Sequence, residues 1–153
     1  MDKSKAILVT GATGYIAGWI IERLLNQGYK VHATVRDPSK KDKIQHLYDL
    51  AEKSSGEIHF FKADLLEAHS FDEAMKGCEV VIHTASPFVV TNYKDAVKDI
   101  IEPAVKGTEN VLDSVNRTDS VKRVVVTSSI ASTYGDAIEI QNTANNEFDE
   151  SHW

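Results

Sequence analysis

Short apolar runs alternate with longer stretches of helical period along most of the chain. Ala6-Ile7-Leu8-Val9-Thr10 is apolar at all but its last position, the pattern of a strand buried on both faces. Gly11 to Gly14 interrupts it. Ile16, Ile20, Ile21, Leu24 and Leu25 then recur every three to five residues, predicting a helix that stops at Gly28. Lys30–Val35 reads as a second strand. Asp37-Pro38-Ser39 opens a polar helix whose inward positions are expected at Ile44, Leu47, Tyr48 and Leu50. A third strand is predicted over 57–63, and a short helix carries Phe71, Ala74 and Met75 up to Gly77. A fourth strand covers 79–83. Val97, Ile100, Ile101, Ala104, Val105, Thr108, Val111, Leu112 and Val115 predict the inward face of a long helix over 93–115. Pro103 lacks a backbone donor, so a kink or a late helix start is expected there. The run 121–127 reads as a fifth strand. The period fades after Ser132, and 136–153 is polar, Asn-rich and loop-like.

Strand–helix–strand units cross over right-handed, so this alternation predicts an α/β fold with a parallel sheet. The expected architecture is a Rossmann-type doubly wound sheet of about five strands, in the order 3-2-1-4-5. Ligands of such sheets bind at the carboxyl ends of the strands, near the switch between the first and fourth.

At 153 residues the chain suits one domain, with 42% hydrophobic and 26% charged residues, a globular composition. The formal net charge of −6 argues against nucleic acid or an anionic membrane as partner. Cys78 is the only cysteine, which excludes an intrachain disulfide and suits a reducing compartment. The six histidines show no metal-ligand spacing, so no metal site is assigned. The charged opening Asp2-Lys3-Ser4-Lys5 resembles neither a signal peptide nor a membrane span, and a cytoplasmic location is expected.

Gly11-Ala12-Thr13-Gly14-Tyr15-Ile16-Ala17-Gly18 lies between the first strand and the first helix. Gly11 allows the turn out of the strand, and Gly14 lets the backbone approach a pyrophosphate. The helix N-terminus then offers free N–H groups to phosphate, with Thr13, Tyr15 and Ile16 completing the expected site. A glycine turn alone is weak evidence, and the βα context is what makes it a dinucleotide signal. Arg36 stands where the second strand ends, with Asp37 behind it and Lys40, Lys41 and Lys43 following. A guanidinium there suits the 2′-phosphate of NADP, whereas a carboxylate would suit the free ribose of NAD. Lys40 and Lys41 read equally well as a solvated helix face.

With these residues the chain resembles the extended short-chain dehydrogenases/reductases of the NAD-dependent epimerase/dehydratase superfamily. Within them it is similar to the dihydroflavonol-reductase, cinnamoyl-CoA-reductase and yeast-type aldehyde/ketone reductase branch. The matching pieces are Val9-Thr10-Gly11-Ala12-Thr13-Gly14-Tyr15-Ile16, Ala33-Thr34-Val35-Arg36-Asp37-Pro38, Ala63-Asp64-Leu65 and His83-Thr84-Ala85-Ser86-Pro87. Pro103-Ala104-Val105-Lys106-Gly107-Thr108 and Val124-Val125-Val126-Thr127-Ser128-Ser129 follow in the family's order. The resemblance implies that Arg36 and Lys43 hold the 2′-phosphate, and that Asp64 and Leu65 meet the adenine. It places Thr84, Ala85 and Ser86 along the pyrophosphate and nicotinamide ribose. It also implies a catalytic serine at Ser129, with Ser128 the alternative, polarising the carbonyl of a small ketone or aldehyde. Read from the residues alone, Asp64 could equally cap the loop after strand 3, Thr84 could end strand 4, and Ser128-Ser129 could be an ordinary turn.

Two departures qualify the resemblance. Ala17 stands where the family has its third glycine, a position at which alanine is tolerated. Tyrosine needs a nearby positive charge to work as an acid near neutral pH, and the family supplies a lysine four residues on. Tyr15, Tyr29, Tyr48, Tyr93 and Tyr134 are followed at that spacing by Trp19, Ala33, Glu52, Val97 and Ile138. Phe148-Asp149-Glu150-Ser151-His152-Trp153 resembles the stretch that precedes the family's Tyr-x-x-x-Lys helix. The expectation is therefore a cofactor-binding unit over 1–135, and a loop over 136–153 leading to a catalytic helix and substrate lobe that this chain lacks. Strand 5 would be left uncovered, with marginal stability or self-association as the result. Residues 88–92 and 134–140 are expected near the substrate. A non-catalytic NADP-binding redox sensor, an epimerase/dehydratase and a steroid-type dehydrogenase are the alternative readings.

Overall fold

The computed structural model describes residues 2–87 and 93–153, so the segment expected near the substrate at 88–92 lies outside the described residues. Five strands form one parallel sheet in the order β3-β2-β1-β4-β5. They are β1 (Ala6–Thr10), β2 (Lys30–Val35), β3 (Glu57–Lys62), β4 (Cys78–His83) and β5 (Arg123–Val126). Between them run the helices α1 (Tyr15–Asn26), α2 (Lys41–Glu52), α3 (Asp72–Met75) and α4 (Glu102–Asn116). The doubly wound architecture is the one the alternation predicts.

β1 is buried at all five positions because its side chains alternate between two helical layers. Ile7 and Val9 pack with Ala17, Ile21 and Leu25 of α1 and with Ile44 and Leu47 of α2. Ala6 and Leu8 face Phe71, Ala74 and Met75 around α3, and Val111 of α4. Cys78 lies in this second layer, donating to the Ala74 carbonyl 3.3 Å away, and burial pushes its thiol up to about 12. His32 donates through Nδ1 to the same carbonyl at 2.7 Å.

Four expectations need correction. Tyr48 is 40% exposed rather than inward. It stands one position past buried Leu47, about 100° around the helix, and lays its ring 4.8 Å from that of Phe60. α2 also begins later than Asp37-Pro38-Ser39, because the Asp37 carboxylate accepts from the Ser39 N–H and hydroxyl and makes a separate turn first. On α4 the buried residues are Gly107, Asn110, Val111 and Ser114, of which only Val111 was expected, while Val105 and Leu112, with Val97 and Ile101 in the turn just before the helix, are exposed. Small residues on the sheet side bring the helix close: a Cβ on Gly107 would stand 3.0 Å from that of Leu65. The segment 136–153 is not plain loop but contains short 3-10 turns at Ala137–Asn142, Ala144–Asn146 and Glu150–His152.

Pro103 acts at the α4 N-terminus as a donor-less residue must. A π-helical turn, Val97–Ile101, runs directly into α4, and the Glu102 N–H reaches back five residues to the Val97 carbonyl. The register slip sits immediately before the residue that could not have bonded in α register.

α3 and α4 are joined by Arg117, whose Nη2 donates to Asp72 Oδ1 at 2.9 Å and to Ser114 Oγ at 3.2 Å. The guanidinium holds the Asp72 carboxyl down at about 2. A depressed carboxylate contributes stability above its unfolded pKa and loses it as the pH falls through the folded one. Asp72→Asn should therefore cost about 1 kcal/mol at most at neutral pH, the pair being partly solvated. The gap from the parent chain should close between about pH 4 and pH 2 in acid-unfolding curves.

β5 is the outer strand, shorter than predicted, and Val125 and Val126 are each 48% exposed on opposite faces. An open edge with apolar residues on both faces invites pairing with another chain. Sedimentation should reveal concentration-dependent association that Val125→Lys and Val126→Lys together abolish. A parent chain that stays monomeric at tens of micromolar would contradict this.

Candidate functional site

The carboxyl ends of β1, β2, β4 and β5 meet along one edge of the sheet, and most residues singled out from the sequence lie there. Gly11 leaves β1 with φ +67°, the left-handed region that glycine enters without strain. A Cβ on it would stand 3.0 Å from Ala85 Cα. The Ala12 N–H donates to the Thr34 carbonyl at 2.9 Å, and the Gly14 N–H closes a turn onto Gly11 at 2.8 Å. Gly14 then caps α1 with extended backbone and no side-chain bond. The N–H groups of Tyr15, Ile16 and Ala17 consequently have no partner among the described residues. These are the orphan donors of a helix start, carrying its positive dipole end. Ala17 is buried at the close helix–strand contact, which accounts for alanine at the departing position.

Thr10 ties the end of β1 to the loop after β4. Its Oγ1 accepts from the N–H groups of Thr84 and Ala85, each at 3.1 Å, and lies 2.8 Å from His83 Nδ1. The Thr84 hydroxyl donates to the Thr10 carbonyl at 2.6 Å. Thr84 thus spends its side chain on backbone, as the simpler reading of that residue allowed. Burial lowers the His83 pKa, and the ring is almost wholly enclosed.

At the end of β2, Arg36 is exposed with no acidic side chain in ion-pair range among the described residues. Asp37 is turned away from it: Ser39 and then Lys40, at 3.9 Å, take its carboxylate and hold it below the usual range. Lys43 is exposed on the first turn of α2. Asp64 caps its own loop, with Oδ1 accepting from the Leu66 N–H at 2.9 Å. Asn110 on α4 holds the Leu65 carbonyl at 2.7 Å, while the Leu65 N–H has no partner among the described residues.

Ser128 and Ser129 follow β5 and are exposed. Ser129 Oγ caps a short turn by accepting from the Ala131 N–H at 3.2 Å, which leaves its own proton free. Ser128 Oγ is paired with Ser132 Oγ at 3.2 Å. Tyr134, Gly135 and Glu139 line an open cavity of about 600 Å³ with Ser132, Phe148 and His152. This cavity belongs to the segment after β5 and includes none of the glycine-turn residues.

The NAD dependent epimerase/dehydratase family matches residues 7–152. The chain belongs to this family. It is 50% identical to a cinnamoyl-CoA reductase of Medicago truncatula over 82% of its length, and 40% identical to a dihydroflavonol 4-reductase of Gerbera hybrida over 99%. It spans 38% and 40% of those two proteins. Among solved structures, Gre2 of Candida albicans in complex with NADPH superposes with a TM-score of 0.72 at 32% identity, over 85% of this chain and 38% of that one. Vestitone reductase of alfalfa gives 0.68 at 29% identity, over 90% and 44%.

The dinucleotide implied by the epimerase/dehydratase family fits this edge. The unpartnered N–H groups of Tyr15, Ile16 and Ala17 suit phosphate oxygens, and a side chain on Gly11 would fill the approach beside Ala85. Thr10 and His83 entered the sequence reading only as members of matching pieces, without a role, and Asn110 did not enter it. Their signal was a polar residue at an otherwise apolar position of a strand or inward helix face, which is also how a satisfied core residue looks.

Gly11→Ala should destabilise the chain by about 1–3 kcal/mol, since it places a Cβ at positive φ against Ala85. Thermal melts against Gly18→Ala, where a Cβ meets nothing within 4 Å, would isolate that effect.

Proposed function

We propose that this chain is the cofactor-binding portion of an NADP-dependent oxidoreductase that reduces the carbonyl of a small ketone or aldehyde. Residues 1–135 form the binding unit, and 136–153 lead toward the catalytic helix and substrate lobe. The observation that carries the NADP reading is the contrast at the end of β2. Arg36 is unpaired among the described residues, while the Asp37 carboxylate is occupied by Ser39 and Lys40. The complex of the related Gre2 with NADPH supports it.

In this reading Arg36 and Lys43 hold the 2′-phosphate, and the open N–H groups of α1 take the pyrophosphate. Gly11, Thr13 and Gly14 shape that turn. Asp64 and Leu65 flank the adenine, the latter through its free N–H, and Thr84, Ala85 and Ser86 line the pyrophosphate and nicotinamide ribose. A bound reduced nicotinamide supplies hydride, and the protein's share is orientation and electrostatics. Ser129 donates its free hydroxyl proton as a hydrogen bond to the carbonyl oxygen, and its availability favours it over Ser128. No tyrosine in the chain has a lysine four residues on, so the chain by itself binds cofactor without turnover.

Fluorescence titration tests this directly. NADPH should bind more tightly than NADH, and Arg36→Ala should weaken NADPH about ten- to a hundredfold, the worth of charge-assisted hydrogen bonds, with NADH unchanged. An unaltered NADPH dissociation constant in Arg36→Ala would overturn the NADP assignment. Turnover of carbonyl substrates by the chain alone would overturn the catalytic division.

A further inference from the structure

Thr10 Oγ1 has three close polar neighbours: the Thr84 N–H and Ala85 N–H at 3.1 Å and His83 Nδ1 at 2.8 Å. A hydroxyl has two lone pairs and one proton. Both N–H groups can only donate, so they occupy both lone pairs. The proton must then go to His83 Nδ1, which is therefore unprotonated, and the neutral ring carries its hydrogen on Nε2. The other tautomer would set a third donor against a filled oxygen and leave the threonine proton without an acceptor. A charged ring fails for the same reason, and burial of His83 opposes charge independently.

We propose that His83 is a positioning residue of the cofactor cradle: by accepting the Thr10 hydroxyl proton it frees both Thr10 lone pairs for the Thr84 and Ala85 N–H groups, and so fixes the loop after β4 against the phosphate turn. The contact is close enough to matter, since the Cβ position of Gly11 is 3.0 Å from both Cα and Cβ of Ala85. With no acceptor at His83, the Thr10 proton competes for the direction of one backbone donor. Thr84 or Ala85 then loses its bond, and Ala85 moves relative to Gly11. The Thr84 hydroxyl bond to the Thr10 carbonyl survives that change, so the loop loosens without detaching. The ring also has the right reach. Its Nδ1 meets the last side chain of β1 across the β1–β4 pairing, where Thr10 and His83 are register partners.

The inference rests on the cofactor reading of this edge, and two measurements separate their fates. Nitrogen-15 NMR of the ring should place the His83 proton on Nε2, with Nδ1 bare, whether or not cofactor is present. A proton on Nδ1 would overturn the proposal. In NADPH titrations, His83→Phe should raise the dissociation constant about five- to tenfold, the scale of one lost hydrogen bond, and Thr10→Val, which removes the acceptor of both N–H groups, by at least as much. His83→Asn, whose Oδ1 sits near the Nδ1 position, and Thr10→Ser should stay within about threefold of the parent. Thr10→Val keeps the side-chain shape and serves if His83→Phe fails to fold. A merely structural pair would lower the melting temperature without this ranking, so equal losses in His83→Phe and His83→Asn would overturn the proposal. A parent chain that binds no nicotinamide dinucleotide would overturn the cofactor reading and the positioning role with it. A parent that binds normally, with variants that bind equally well, overturns the positioning role alone.

Discussion

The ends of β1 and β4 approach so closely that a Cβ on Gly11 would stand 3.0 Å from Ala85. That approach is possible because Thr10 satisfies two backbone donors of the β4 loop that would otherwise be buried without partners. The chain can then turn sharply out of β1, open α1 without a side-chain cap, and leave its first N–H groups pointing past the sheet edge. The row of open N–H donors at this edge is thus tied to strand packing. The helix donors are unsatisfied because the N-cap residue, Gly14, has no side chain to cap them.

Strands carried most of the legible information. The apolar run Ala6-Ile7-Leu8-Val9 has no amphipathic period because both faces of its strand are covered by helices, as in a parallel sheet between two helical layers. Crossover handedness then leaves little freedom in strand order. Gly11 was readable because its place at the end of β1 calls for the positive φ it adopts, and Arg36 stands exposed at the end of β2 where the sequence put it.

Helix faces were less readable. Along α4 and the π-helical turn before it two stripes compete, one of larger apolar residues at Val97, Ile101, Val105 and Leu112, the other of small and polar ones around Gly107, Asn110 and Ser114. Period analysis weighs hydrophobicity and so selects the first, whereas the sheet selects by distance and takes the second. Leu65 lies too near to admit anything larger than glycine at 107. Tyr48 failed for a related reason, since an aromatic ring can rest on the rim of β3 without entering the core. Asp64 and Asp37 show the limit for polar residues. Each bonds its own loop, and a sequence cannot say whether a carboxylate faces a ligand or its neighbours.

Cys78 gives the molecule one further property. Burial pushes its thiol up to about 12, which keeps it protonated at neutral pH, and alkylating or oxidising reagents need the thiolate. The sulfur is enclosed between α3 and the central strands, so a reagent reaches it only when α3 or β4 moves away. The solitary cysteine is in effect a sealed tell-tale: the rate at which it is labelled counts the openings of the layer between α3 and the sheet.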